Sequence, residues 1–179
     1  LNNIIFIGGV HGVGKTTICN ELVSTHQIPA YSASRIISEL KNQNFPQDKL
    51  IPDIDINQAL LIEGLKDVKA REKAFILDGH FCLINEKRTV SKIPETVFQQ
   101  IKPIACIVVS DAVNNIVERL KMRDSIHYEP AFIENFQDEE INHAVFLANN
   151  LNIPYYIYNQ SLNSAAHLHK FITGLGVLK

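Results

Sequence analysis

The chain has 179 residues and a mass of 20.2 kDa, with 17 Lys+Arg against 19 Asp+Glu, a formal net charge of −2 and 46 % hydrophobic residues. A chain of this length buries roughly 70 % of its extended surface on folding, so one full core is available without disulfide or metal staples, and the length leaves no room for a sizeable second domain. The charge balance excludes a broad basic face for nucleic acid, no apolar run reaches the roughly 20 residues of a membrane span, and the start lacks a basic secretory n-region; a cytoplasmic protein is the expectation.

In chain order, short runs of Ile, Val and Phe alternate with stretches whose apolar residues recur at three and four, the mark of strands and helices in turn. Strands are predicted over residues 4–8, 28–32, 74–78, 104–110 and 154–158. Helices are predicted over 16–26, 34–44, 54–72, 94–101, 112–123, 132–150 and 164–173. Pro94 suits a first helical turn, and Asp111 and Asn163 suit N-caps. The strands are almost continuously apolar, as strands covered on both faces must be. The expected fold is therefore a three-layer α/β/α domain spanning 1–179 around a five-stranded parallel sheet. Residues 45–53 and 79–93 resist the pattern and read as ligand loops near strand ends. Cys19, Cys82 and Cys106 lie apart in apolar surroundings and read as buried thiols.

Directly after the first strand comes Gly9-Val10-His11-Gly12-Val13-Gly14-Lys15-Thr16, which satisfies G-x-x-x-x-G-K-[ST] and opens a helix. Its glycines allow a tight turn that aims successive N–H groups inward, so Gly9, Gly12, Val13 and Gly14 would cradle phosphate oxygens at a helix N-terminus. Lys15 would reach the β- and γ-phosphates, Thr16 would bind Mg²⁺, and Thr17 lies beside them. His11 is a loop histidine that is either solvated or near the chemistry. The third strand ends in Asp78-Gly79-His80, where Asp78 is either a turn residue or a carboxylate for Mg²⁺. His80 would position an acceptor or simply satisfy its own hydrogen bonds.

On the acceptor side, Ser34 and Arg35 open the second helix and are either a cap with an exposed cation or contacts for a phosphate or sugar. Gln58 sits in the long third helix, where its amide could meet a nucleobase. Arg119 and Arg123 are four apart on one helical face. They either complement the helix dipole or clamp transferring phosphates. Beyond Arg123 the acids Asp124, Glu129, Glu134, Asp138, Glu139 and Glu140 read as a solvated helix face.

Taken together, the phosphate loop, the turn at Tyr31 to Arg35, Gln58, the Asp78-Gly79-His80 strand end and the Arg119/Arg123 helix end resemble the nucleoside monophosphate kinases. The chain looks most like small archaeal-type adenylate kinases and their eukaryotic nuclear relatives. The resemblance implies ATP as donor with Mg²⁺, a nucleotide or nucleoside acceptor, and a short lid around residues 119–131. It implies a Walker-B-like pair in Asp78 and His80, with Arg119 and Arg123 as lid arginines and Lys15 as a catalytic cation. Ala33 replaces a glycine common in those kinases, Ser38 and Glu39 stand where an arginine is common, and the apolar Phe81 to Ile84 follows the strand end. The changes at Ala33, Ser38 and Glu39 weigh against AMP as the acceptor, and the apolar segment allows a less charged one. The apolar stretch also suggests a second class, an ATPase or nucleotide-dependent switch docking a protein partner, and a kinase of a non-nucleotide metabolite shares the same donor site.

Overall fold

The computed structural model describes residues 2–42, 55–85, 87–124 and 128–177. It contains β1 (Asn3–Gly8), α1 (Lys15–His26), β2 (Ala30–Ser32), α2 (Ala33–Asn42), α3 (Ile56–Arg71), β3 (Ala74–Asp78), β4 (Cys82–Ile84), β5 (Val90–Lys92), α4 (Glu95–Ile101), β6 (Ala105–Ser110), α5 (Val113–Asp124), α6 (Pro130–Asn150), β7 (Tyr155–Asn159) and α7 (Ala165–Gly174). Five strands form a parallel sheet in the order β2-β3-β1-β6-β7. The chain builds β2 and β3 to one side of β1 and β6 and β7 to the other, so strand order reverses at the carboxyl end of β1. Open α/β sheets bind ligands at such a point.

The period of two along each strand divides the core. On one face Phe6, Phe75, Leu77 and Val108 pack against Leu61, Leu65, Val97, Phe98 and Leu147 from α3, α4 and α6. On the other, Ile5, Ile7, Ile76 and Ile107 pack against Ile18, Leu22, Ile116, Leu120 and Ile172 from α1, α5 and α7. The three-layer expectation therefore holds. Each fully buried Phe, Leu or Ile contributes about 2 kcal/mol of transfer free energy, which explains why strands so uniformly apolar settle in the middle layer.

Several local expectations are corrected. Residues 79–93 are not simply a loop, because β4 and β5 pair antiparallel within them, with Cys82 opposite Lys92. The turn between is set by Asn85, whose Oδ1 accepts the N–H groups of Lys87 and Thr89, both at 3.0 Å. Three-residue strands are too short for alternation to reveal them. Ser164, rather than Asn163, caps α7 by accepting the Ala166 N–H, while Asn163 Oδ1 takes the N–H of Asn159 at 2.7 Å. Pro94 occupies the cap position just before α4 rather than its first turn. The loop expected at 45–53 lies outside the described residues, as do residues 125–127 of the expected lid. All three cysteines are free and buried, as expected.

Candidate functional site

The phosphate loop follows from two glycines that adopt positive φ, Gly12 at 78° and Gly14 at 100°. A side chain at Gly12 would also place its Cβ 2.7 Å from Leu120 Cγ, so only glycine fits there. Val10 and Val13 bury their side chains in the core and anchor the loop to the sheet. Val13 therefore offers the site only its backbone, and its N–H already bonds the Val10 carbonyl at 3.3 Å. Lys15 Nζ donates to the carbonyl of Gly9 at 2.7 Å and lies 3.4 Å from that of Val10. Burial lowers its pKa, opposed by the nearby carboxylates of Asp78 and Glu140.

Behind this loop stands a second set of groups. Arg119 donates to the carbonyls of Gly12 and Val13 at 3.3 and 3.2 Å and to Asp111 Oδ2 at 2.5 Å. Asp111 also accepts from the Ala112 N–H, Asn115 and the Ser161 hydroxyl, and Gln160 bonds the Val13 carbonyl. Burial pushes the Asp111 carboxyl up, but these donors, Ser161 and Arg119 foremost, outweigh it and hold the pKa below the usual value. Asp111 is not the N-cap expected of it, since α5 begins at Val113 and the Ala112 carbonyl takes the first helical N–H groups; its carboxyl instead braces the loop, and Arg119 is held by the loop it borders. Arg123, one turn on, is exposed and also lines the cavity in front of the loop.

That cavity has a volume of about 680 Å³. It brings together Gly12, Gly14, Lys15, Thr16, Asp78, His80, Arg119 and Arg123 with Ser34 and Gln58. Its apolar lining is Phe6, Ile37, Leu61, Val97, Phe98 and Ile101, a wall assembled from β1, α2, α3 and α4 that no sequence spacing announces. Thr17 is exposed and not part of the cavity wall, and Gly9 contributes the carbonyl that holds Lys15. Arg35 is not part of this wall but lines an adjoining cavity, of about 580 Å³, that shares Thr16, Ser32 and Asp78 with it. It pairs with Glu39 at 2.9 Å with 80 % of its side chain exposed.

Asp78 ends β3 opposite Ile7, next to the phosphate loop. Burial raises its pKa and Lys15 opposes the rise. The His80 ring lies 4.3 Å from that of His11, centroid to centroid. Burial and the charge of Lys15 push its pKa down to about 3, so the imidazole is neutral near pH 7. Its partner was not foreseen. Glu140 lies in the acidic stretch expected to face solvent, yet it is 0 % exposed, with Oε1 3.2 Å from His80 Nδ1 and Oε2 accepting the Phe81 N–H at 2.8 Å. Burial pushes its pKa up to about 7. The apolar segment that suggested a partner-docking loop is interior only in its first half: Phe81 and Cys82 are both 0 % exposed, whereas Leu83 is half-buried and Ile84 is exposed. Among the described residues no helix is long and apolar enough to cross a membrane.

A glycine loop between strand and helix, a lysine turned onto it and a carboxylate on the adjacent strand end define a P-loop protein of the α/β/α kinase fold. Residues 8–135 match the family described as an AAA domain, and the chain belongs to it. It is 28 % identical over 133 residues to an adenylate kinase of Mycoplasma mobile, covering 69 % of this chain and 58 % of that protein, so the chain spans little more than half the relative's length. In architecture it resembles a gluconokinase from Sinorhizobium meliloti, with a TM-score of 0.55 at 9 % identity, covering 98 % of this chain and 91 % of that one. It also resembles the YorR protein of Bacillus subtilis, solved in complex with phosphorylated GDP, with a TM-score of 0.57 at 15 % identity over 97 % and 95 % of the two chains.

Proposed function

We propose that this protein is a cytoplasmic, Mg²⁺-dependent phosphotransferase that moves the γ-phosphoryl group of ATP to a nucleoside monophosphate or a related small molecule. One observation carries the reading: a single cavity is lined both by Lys15, Thr16 and Asp78 and by Ser34, Gln58 and a set of apolar side chains, with room beyond the phosphate loop for an acceptor. A pure ATPase needs only water in front of the γ-phosphate, whereas a kinase needs a second pocket in line with it. The adenylate kinase relative supports an adenylate-kinase-like lineage, and the archaeal-type resemblance rests on the Asp78-Gly79-His80 strand end alone.

The residues fit a magnesium ion. Thr16 and Asp78 border the same cavity, and the positive charge of Lys15 beside Asp78 favours its carboxylate form. Bound Mg²⁺ would supply charge neutralisation on phosphate oxygens. The chain's own groups do the rest: the loop N–H groups hold phosphate oxygens, Lys15 stabilises charge on the moving group, and Arg119 keeps the loop in shape. Arg123 meets phosphates at the mouth, His80 orients the acceptor, and residues 119–131 serve as a short lid on a single domain. A coupled ATP-consumption assay across nucleosides, nucleoside monophosphates and sugar acids tests this. Turnover that rises only with one acceptor class is expected, and turnover indifferent to every acceptor would overturn the kinase reading.

A further inference from the structure

Among the acids of α6, Glu134 and Asp138 are exposed and Glu139 pairs with Lys92 at 3.1 Å, but Glu140 is completely enclosed. A carboxyl in such a place costs several kcal/mol relative to an apolar residue unless its oxygens are well used. Both are used on one short segment: Oε2 takes the Phe81 N–H at 2.8 Å, and Oε1 faces His80 Nδ1 at 3.2 Å. The Cys82 backbone also bonds this carboxyl. The groups facing it from neighbouring elements are Lys15 of the phosphate loop and His143 of its own helix, and His143 is itself tied to the Ile93 carbonyl at 2.7 Å.

We infer that Glu140 is a positioning residue for phosphoryl transfer: it fixes the His80 imidazole against the phosphate loop by holding both its Nδ1 and the backbone turn that carries it. This rests on the phosphotransferase reading above. Without the carboxyl, the Phe81 N–H is left unpaired and the imidazole, still bonded to the Gly9 backbone, loses one of the two contacts that set its rotation and tautomer. The ring lines the cavity beside the phosphate loop, tilted against the His11 ring at 4.3 Å between centroids. Small displacements of a group in that position lower rates by about 100-fold without abolishing binding.

The test compares Glu140→Gln, Glu140→Ala, His80→Ala and the double variant Glu140→Ala/His80→Ala. Glutamine keeps the shape and an acceptor for the Phe81 N–H, so it guards against loss of folding. The expected result is a kcat lower by about 100-fold in Glu140→Ala with the KM for ATP changed less than about threefold, partial recovery in Glu140→Gln, and no further loss when the alanine is introduced into His80→Ala. Losses that multiply in the double variant, or a fall in kcat that only tracks the folded fraction, would overturn the inference. Side-chain nitrogen NMR of His80 provides a readout that needs no turnover: its tautomer signature should change in Glu140→Gln, and an unchanged signature also overturns the inference. If the unaltered protein phosphorylates no acceptor, the functional reading fails while the imidazole signals still report on Glu140.

Discussion

Arg119 and Asp111 meet at 2.5 Å, and the same guanidinium reaches the Gly12 and Val13 carbonyls, so an ion pair at the start of α5 braces the phosphate loop from behind. Asp111 is 3 % exposed and its own backbone is clamped on both sides by the Gln137 amide, at 3.0 Å each. Removing the carboxyl leaves the Ala112 N–H, Asn115 and Ser161 without their acceptor. Arg119 is 40 % exposed and keeps its two carbonyls, so Asp111→Ala should cost about 2 kcal/mol of stability, chiefly through the lost charge-assisted hydrogen bonds, read as a lower midpoint in urea at unchanged slope. Because the carboxyl's pKa is lowered on folding, its contribution is present above the ordinary carboxylate range and lost as pH falls through the folded value. The difference between the native chain and Asp111→Asn should therefore shrink on acidification.

Arg119→Lys keeps the charge but not the planar fork that serves two carbonyls and a carboxylate together. Its affinity for ATP should fall by about tenfold, measured by calorimetric titration, with a smaller change in melting temperature than Asp111→Ala. An unchanged affinity would mean that the loop keeps its shape unaided.

Glu140 makes stability depend on pH in the opposite sense to Asp111. Its pKa is raised on folding to about 7 from an ordinary value of 4.5, so the folded state holds the proton more tightly. Its stabilising share is complete below the ordinary value and is lost as pH rises through about 7. Relative to Glu140→Gln, the native chain should lose stability steadily across that window, by on the order of 1 kcal/mol for each pH step. Paired denaturation curves at several pH values check this, and a constant difference would contradict the buried carboxyl.

The three thiols provide a simple check on the core. Burial pushes Cys19, Cys82 and Cys106 up to about 12, so almost none of each is thiolate at neutral pH. Alkylation by iodoacetamide should be negligible in the folded protein and fast in urea, and prompt labelling of the native chain would contradict the packing described.

Much of the fold was legible because its strands are covered on both faces, which leaves them almost uniformly apolar, and the phosphate loop was legible because its chemistry needs contiguous residues. The brace behind the loop was not: Asp111, Gln137, Gln160 and Ser161 come from distant segments, and no spacing joins them. Glu140 was hidden by its acidic neighbours, although a signal existed. Ile133, Phe136, Gln137, Glu140, Ala144 and Leu147 follow the helical period and share the buried face of α6. A charged residue on an apolar stripe marks a buried group even inside an acidic run. Arg35, next to Ser34 in sequence, lines the neighbouring cavity together with Thr16, Ser32 and Asp78 while pairing with Glu39, a division between two cavities that sequence adjacency does not show.

The most direct measurement follows the labelled γ-phosphoryl group of ATP into product with a panel of nucleoside and nucleotide acceptors, using the native chain and Lys15→Ala side by side. Label should appear in one class of acceptor with the native chain and fall to background with Lys15→Ala. Label released only as inorganic phosphate, at a rate no acceptor changes, would contradict a phosphotransferase.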